Sequence, residues 1–220
     1  MAGQEIVNHG PWIVNHKQVI AVVDYSVGNV KSVCNAFHHI GCEVELSRDP
    51  ARIEKACGLV LPGVAAFGYA MEALGSAAEL VKQAAASGKS ILGICVGHQL
   101  LFDASCEYGP HQGLGLVRGQ VVAVPPEQTV PHMGWNLVQL PEDMDLFAGL
   151  GPAKHFYFAH SFHVQVQDPQ TKIAYTDYGF PLAASIQKAN IYGVQFHPEK
   201  SGAQGLQVLR NFQRICGRKV

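Results

Sequence analysis

The chain has 220 residues, of which 48% are hydrophobic and only 15% charged, and its formal net charge is −1 at pH 7. That balance excludes a disordered chain, which fails to fold through low hydrophobicity and high charge, and the length suits one large α/β domain or at most two small ones. Its 16 Lys and Arg residues form no long run, so the electrostatic footprint of a nucleic-acid or anionic-membrane binder is missing.

In chain order, residues 1–18 read as an N-terminal extension and residues 19–220 as the domain. The extension does not resemble a signal peptide: it has no basic region, and Asn8, His9, Gly10, Pro11, Asn15 and His16 interrupt its apolar stretches. Val19–Asp24 is a short β-branched run that predicts a buried strand, followed by a turn at Gly28 and a helix over Asn29–His39 that Gly41 stops. Glu43–Ser47 and Gly58–Leu61 read as further strands, the latter ending at Pro62-Gly63. Ala and Leu on one face predict a helix over Met71–Ser87, then a strand over Ser90–Ile94 and a helix over Gly97–Ala104.

The second half is richer in strands. Leu116–Val124, Trp135–Leu140, Ala153–Phe158, His163–Val166, Ile173–Thr176, Ala183–Gln187 and Ile191–Phe196 are separated by Gly and Pro turns. A closing helix over Gly202–Cys216 carries Leu206, Leu209, Phe212 and Ile215 at helical spacing. The pattern predicts a single α/β domain, with a central, mostly parallel sheet flanked by helices and an additional antiparallel region. The longest apolar run, Ser90–Val96, is far short of the ~20 residues of a membrane helix.

Six cysteines, at 34, 42, 57, 95, 106 and 216, form no CxxC pair and no Cys/His ladder with metal spacing. They read as reduced thiols of a cytoplasmic protein that needs no metal or other cofactor. Cys95 stands apart from the rest. Gly93-Ile94-Cys95-Val96-Gly97 lies between an apolar strand and a helix, which is the context of a nucleophile elbow. The flanking glycines let strand and helix approach, and the strained turn projects the sulfur outward at a helix N-terminus, where thiolate is favoured. The other five cysteines read as core residues.

A thiolate needs a base, and His197 has the context for one. In Gln195-Phe196-His197-Pro198-Glu199, Pro198 favours an extended His197, and residues two apart on an extended chain point the same way. Glu199 then accepts from one imidazole nitrogen and leaves the other for Cys95, the orienter, base and nucleophile arrangement of hydrolytic triads.

With these residues in view, GICVGHQ at 93–99 and GVQFHPEKSG at 193–202 resemble the two signatures of the class I, triad-type glutamine amidotransferases, whose domain is flavodoxin-like. DYSVGN at 24–29, PHMGWN at 131–136 and YFAHSF at 157–162 are similar to one branch, the glutaminase subunits of imidazole glycerol phosphate synthase. The resemblance implies that Cys95 attacks the side-chain amide of L-glutamine while His197, held by Glu199, moves the protons. The oxyanion then falls to the amide of Val96 and to the backbone at Gly63-Val64. Gln99 and Glu107 hold the substrate's amino-acid end, and the backbone of Ser161 and Phe162 meets its carboxylate. The ammonia passes to a (β/α)8-barrel cyclase partner in a heterodimer of histidine biosynthesis, which makes imidazole glycerol phosphate and aminoimidazole carboxamide ribonucleotide. The docking face is implied at Asn29, Trp135, Tyr157 and Lys200.

The chain departs from the family pattern at four places. Ala65 stands where the oxyanion loop usually has glycine (PGVGAF), which restricts peptide rotation and implies low glutaminase activity until the partner and its ligand bind. Ser26 replaces a glycine, Phe162 a tyrosine, and His98 a methionine beside the elbow, where an elbow helix points it away from the sulfur, toward packing or a partner contact. Competing readings are a paralogue feeding ammonia to another synthase, a silent scaffold, a cysteine peptidase or esterase, and a dinucleotide-binding fold. The intact Cys95, His197 and Glu199, the PHMGWN segment, and the lack of G-x-G-x-x-G after the first strand weigh against the last three.

Overall fold

In the computed structural model the described residues are 19–26 and 28–218, so the N-terminal extension lies outside them. The chain begins with β1 (Val19–Val23), α1 (Val30–His39), β2 (Glu43–Ser47), α2 (Pro50–Lys55), β3 (Gly58–Leu61), α3 (Phe67–Leu74) and α4 (Ala77–Ala86). Next come β4 (Ser90–Ile94), α5 (Val96–Gln99), β5 (Phe102–Ser105), β6 (His111–Gln112), β7 (Val117–Ala123) and β8 (His132–Gln139). It closes with β9 (Ala153–His160), β10 (Phe162–Val166), β11 (Lys172–Asp177), β12 (Pro181–Lys188), β13 (Ile191–Val194) and α6 (Gly202–Cys216). Short 3₁₀ turns cover Asp145–Phe147 and Pro198–Lys200.

One nine-stranded sheet, ordered β2-β1-β3-β4-β13-β12-β11-β8-β9, forms the backbone of the molecule. The pairs from β2 through β13 are parallel and those from β13 through β9 antiparallel, so the sheet changes character at β13. A second sheet, β10-β7-β5-β6, is mixed: β7 pairs antiparallel with β10 and parallel with β5, and β5 pairs antiparallel with β6. Apart from the edge strand β2, the parallel strands read as mainly apolar runs because helices cover them; β3 and β13 are buried at every position. β8 instead alternates, and turns Met133, Trp135 and Leu137 outward.

Three features differ from the sequence reading. The expected Met71–Ser87 helix is two helices, α3 and α4, because Gly75 at φ 50° breaks the run. The elbow helix lasts only four residues, Val96–Gln99, and the chain then enters β5 where a helix to Ala104 was expected. α2 was not anticipated, although its signal is in the sequence: Asp49 caps it by accepting from the Ala51 amide at 2.9 Å, with Pro50 at the first helical position. Among the described residues no helix is long and apolar enough to cross a membrane.

Candidate active site

β4 and β13 are parallel neighbours with Ile94 beside Val194, so the residues that follow each strand emerge side by side at one sheet edge. Cys95 follows β4, and its amide donates to the Val194 carbonyl at 2.8 Å. Its backbone has φ 54° and ψ −110°, a region costly for a residue with a Cβ, at about 1–3 kcal/mol. The surroundings impose that conformation. A Cβ on Gly97 would lie 1.8 Å from the Leu61 carbonyl oxygen, and one on Gly93 would lie 2.4 Å from the Gly97 carbonyl oxygen, so only glycines allow α5 to sit this close to β3 and β4.

β13 leads through Gln195 and Phe196 to His197. The His197 Nδ1 lies 2.8 Å from Glu199 Oε1, and both side chains are buried. The pair is presented by the 3₁₀ turn at Pro198–Lys200, so the extended segment expected from the sequence stops at His197 itself, whose φ and ψ are −100° and 97°. Asn29, expected on the docking face, donates its side-chain amide to the same Glu199 oxygen. Glu199 Oε2 is buried and has no hydrogen-bond partner among the described residues. Burial alone would lower the basicity of His197, but hydrogen bonds and charge from Cys95 and Glu199 outweigh it and raise its pKa to about 9. The imidazole therefore holds its proton near neutral pH, between a sulfur and a carboxylate.

Cys95 and His197 line a cavity of about 440 Å³ together with Val64, Val96, Gln99, Glu107, Ser161, Phe162 and Lys200. Gly63, Glu199, Asn29, Trp135 and Tyr157 lie outside its lining. The Gly63 carbonyl accepts the Val96 amide at 3.3 Å, so one of the two amides expected to serve an oxyanion is engaged by the loop expected to supply the other. Glu107 accepts from the Phe67 amide at 2.7 Å, which anchors its carboxylate at the start of α3. Gln99 donates to the Phe162 carbonyl at 2.8 Å and to Gln195 Oε1 at 3.1 Å.

Trp135 and Tyr157 are cross-strand partners in β8 and β9, with ring centroids 6.1 Å apart at 74°, and Lys200 Nζ lies 5.8 Å from the Tyr157 centroid. Trp135 is 54% exposed and Met133, on the same face, 64%. Met133 also lines the cavity, so the site opens onto this apolar face.

His98 is fully buried edge-to-face against Phe102, and its burial holds the pKa down to about 3. Packing over Gly193, where a Cβ would meet its ring at 2.1 Å, explains it. Gln195 was missed by the sequence reading: it is buried and its amide reaches the Cys95 sulfur at 3.8 Å. The signal was its place one residue beyond the strand that neighbours the elbow strand. Tyr25 was missed too. It is buried, donates its hydroxyl to the Pro62 carbonyl, and steadies the loop that carries Gly63.

A family model described as glutamine amidotransferase class-I matches residues 21–216. Among curated proteins, imidazole glycerol phosphate synthase subunit HisH of Lacticaseibacillus casei (strain BL23) is 47% identical over 201 residues, covering 90% of this chain and 96% of its own. The protein of that name in Symbiobacterium thermophilum is 46% identical, covering 89% of this chain and 93% of its own. In Methanothermobacter thermautotrophicus the figures are 45%, 90% and 98%. Of solved structures, PurLQS from Thermotoga maritima aligns with a TM-score of 0.73 at 21% identity over 90% of this chain and 99% of that one. A glutamine amidotransferase from Thermotoga maritima gives 0.62 at 12% identity over 92% and 85%. These two share the fold.

Proposed function

Because the chain belongs to the class-I glutamine amidotransferases, and within them to the family of imidazole glycerol phosphate synthase subunit HisH, we propose that Cys95, His197 and Glu199 are its catalytic triad and that a (β/α)8-barrel cyclase receives its ammonia. The carrying observation is the strained Cys95, set beside the buried His197–Glu199 pair in one cavity.

The Cys95 thiolate attacks the amide carbon of L-glutamine, and His197 delivers its proton to the nitrogen, which leaves as ammonia. Water then attacks the thioester, gives a proton to His197, and releases glutamate and the thiol. Glu199 keeps Nδ1 protonated, so that Nε2 faces the sulfur. Glu107 and Gln99 Oε1 hold the substrate's amino-acid end, and the Ser161–Phe162 backbone receives its carboxylate.

The oxyanion needs the amides of Val96 and Val64, and the first is bonded to the Gly63 carbonyl. Rotation of the Gly63–Val64 peptide would withdraw that carbonyl and turn the Val64 amide inward. Ala65, next in the chain, narrows the freedom to do so. The glutaminase is therefore slow alone and rises when the cyclase and its ligand bind. Docking uses Trp135, Tyr157 and Lys200, whose face adjoins the cavity mouth, with Asn29 beside the triad; ammonia then crosses a dry interface without being protonated in bulk water.

The test is Cys95→Ala in complex with the cyclase. Glutamine-dependent product should vanish, while ammonium salts still drive the cyclase. Loss of both activities, or of neither, overturns the division of labour, and strong turnover by the isolated chain overturns the gating.

A further inference from the structure

The cavity wall contains a histidine, His160, for which this chemistry has no use, and a second buried one, His132, stands behind it. The proton on each ring nitrogen can be deduced. The Phe162 carbonyl only accepts, so His160 Nδ1, at 2.9 Å from it, carries hydrogen. Burial keeps both rings neutral, with pKa values down to about 3 for His160 and about 4 for His132. His160 Nε2 is then a bare lone pair, and His132 Nδ1, at 3.0 Å, donates to it.

The remaining His132 nitrogen faces the Asn136 amide nitrogen at 3.4 Å. Asn136 cannot be flipped, because its oxygen accepts the Leu137 amide at 2.8 Å and its nitrogen donates to the Asp177 carbonyl at 2.9 Å. The His132 ring is held between Phe158 and Tyr178, with centroids 4.6 and 3.8 Å away. One donor at each step, from Asn136 through His132 and His160, thus points along a line that ends at the Phe162 carbonyl, which also takes the Gln99 amide.

We propose that His160, locked by His132 as the Nδ1–H tautomer, is a positioning residue for glutamine: it fixes the Phe162 carbonyl, sets the Ser161–Phe162 backbone for the substrate's carboxylate, and orients Gln99. The inference rests on the reading of Ser161, Phe162 and Gln99 as substrate contacts. It assigns work to PHMGWN and YFAHSF beyond docking, since His132 and His160 come from those two segments.

Two measurements test it. Nitrogen-15 NMR of the imidazoles in the full chain at pH 7 should show hydrogen on Nδ1 and a bare Nε2 in both residues; an Nε2–H tautomer or an imidazolium in either overturns the lock. In kinetics with the cyclase bound, His160→Leu should raise the KM for glutamine about tenfold with kcat changed less than about threefold. His160→Asn, whose amide reproduces the Nδ1 donor, should restore KM to within about threefold. Equal KM in both variants, or a loss confined to kcat, overturns the positioning role. A wild-type complex that turns over no glutamine defeats the glutaminase reading instead, whereas turnover with a KM indifferent to His160→Leu defeats this inference alone.

Discussion

The two halves of the large sheet treat the same requirement, a fixed site, in opposite ways. The parallel half is fixed by steric exclusion: β3 and β13 are buried throughout, and Gly93 and Gly97 leave no space for a side chain. The antiparallel half is fixed by polar bonds and leaves one face open, with Met133 and Trp135 outside and His132 paired to His160 within. The proposed nucleophile, Cys95, follows a strand of the first half, and the backbone proposed to face the substrate, Ser161–Phe162, follows the last strand of the second. The difference teaches that rigidity here is assigned by task. Where a sulfur is held in a strained conformation, packing does it; where one face is left open, hydrogen bonds do.

That contrast can be broken or sharpened by substitution. Glu199→Gln, in the turn after the parallel strands, should lower kcat by ~10³ to 10⁴ by losing control of the His197 tautomer, read by glutamate release in the complex. A loss under about tenfold would remove Glu199 from the machinery. Gly97→Ala should destabilise the fold by about 3 kcal/mol or more, because its Cβ meets the Leu61 carbonyl at 1.8 Å. Urea titration measures this, and Leu137→Ala on the open face should shift stability by less than about 0.5 kcal/mol. If the two cost the same, the contrast between the halves fails.

Trp135→Ala should leave the unfolding midpoint unchanged and weaken cyclase binding by about 2 kcal/mol, roughly 30-fold in Kd by titration calorimetry. The smallest effect concerns pH. The His197 pKa is raised to about 9, above an unfolded value near 6.5, so its contribution to stability is full below about pH 6.5 and is lost as pH rises through about 9. Because the His197 ring is coupled to Glu199 through its Nδ1 hydrogen bond, only about 1 kcal/mol of this should appear as net stability. The pH slope of the urea midpoint between these values should flatten in His197→Gln; an unchanged slope would assign it to other groups.

Much of this was legible in the residues. The buried runs announced the parallel strands, and the glycine pair around Cys95 announced the elbow, because each signal is local and repeats what the backbone needs. The short α5 was not legible, since the apolar residues Leu100, Leu101 and Phe102 fit a helix as well as the turn into β5, and tertiary packing decides between them. Gln195, His132 and His160 were hidden for another reason. The contacts that join His132 to His160 and Gln195 to Gln99 and Cys95 span 28, 96 and 100 positions of the chain, so the local pattern does not bring these partners together. The engagement of the Val96 amide by Gly63 is likewise a long-range backbone contact with no side-chain signature.

The turn that carries His197 and Glu199 also guards a sheet edge. β9 is the last strand of the large sheet, yet the Tyr157 carbonyl on it accepts the His197 amide at 2.8 Å and the Tyr157 amide donates to the Ser201 hydroxyl at 3.0 Å. An unguarded edge beside an apolar face is a template for aggregation. Here the segment that carries His197 and Glu199 occupies the edge at Tyr157, so a foreign strand cannot pair there. Substitutions in that segment should accordingly be sought in insoluble fractions as well as in assays, because the segment proposed to run the chemistry also keeps copies of the chain from pairing at this edge.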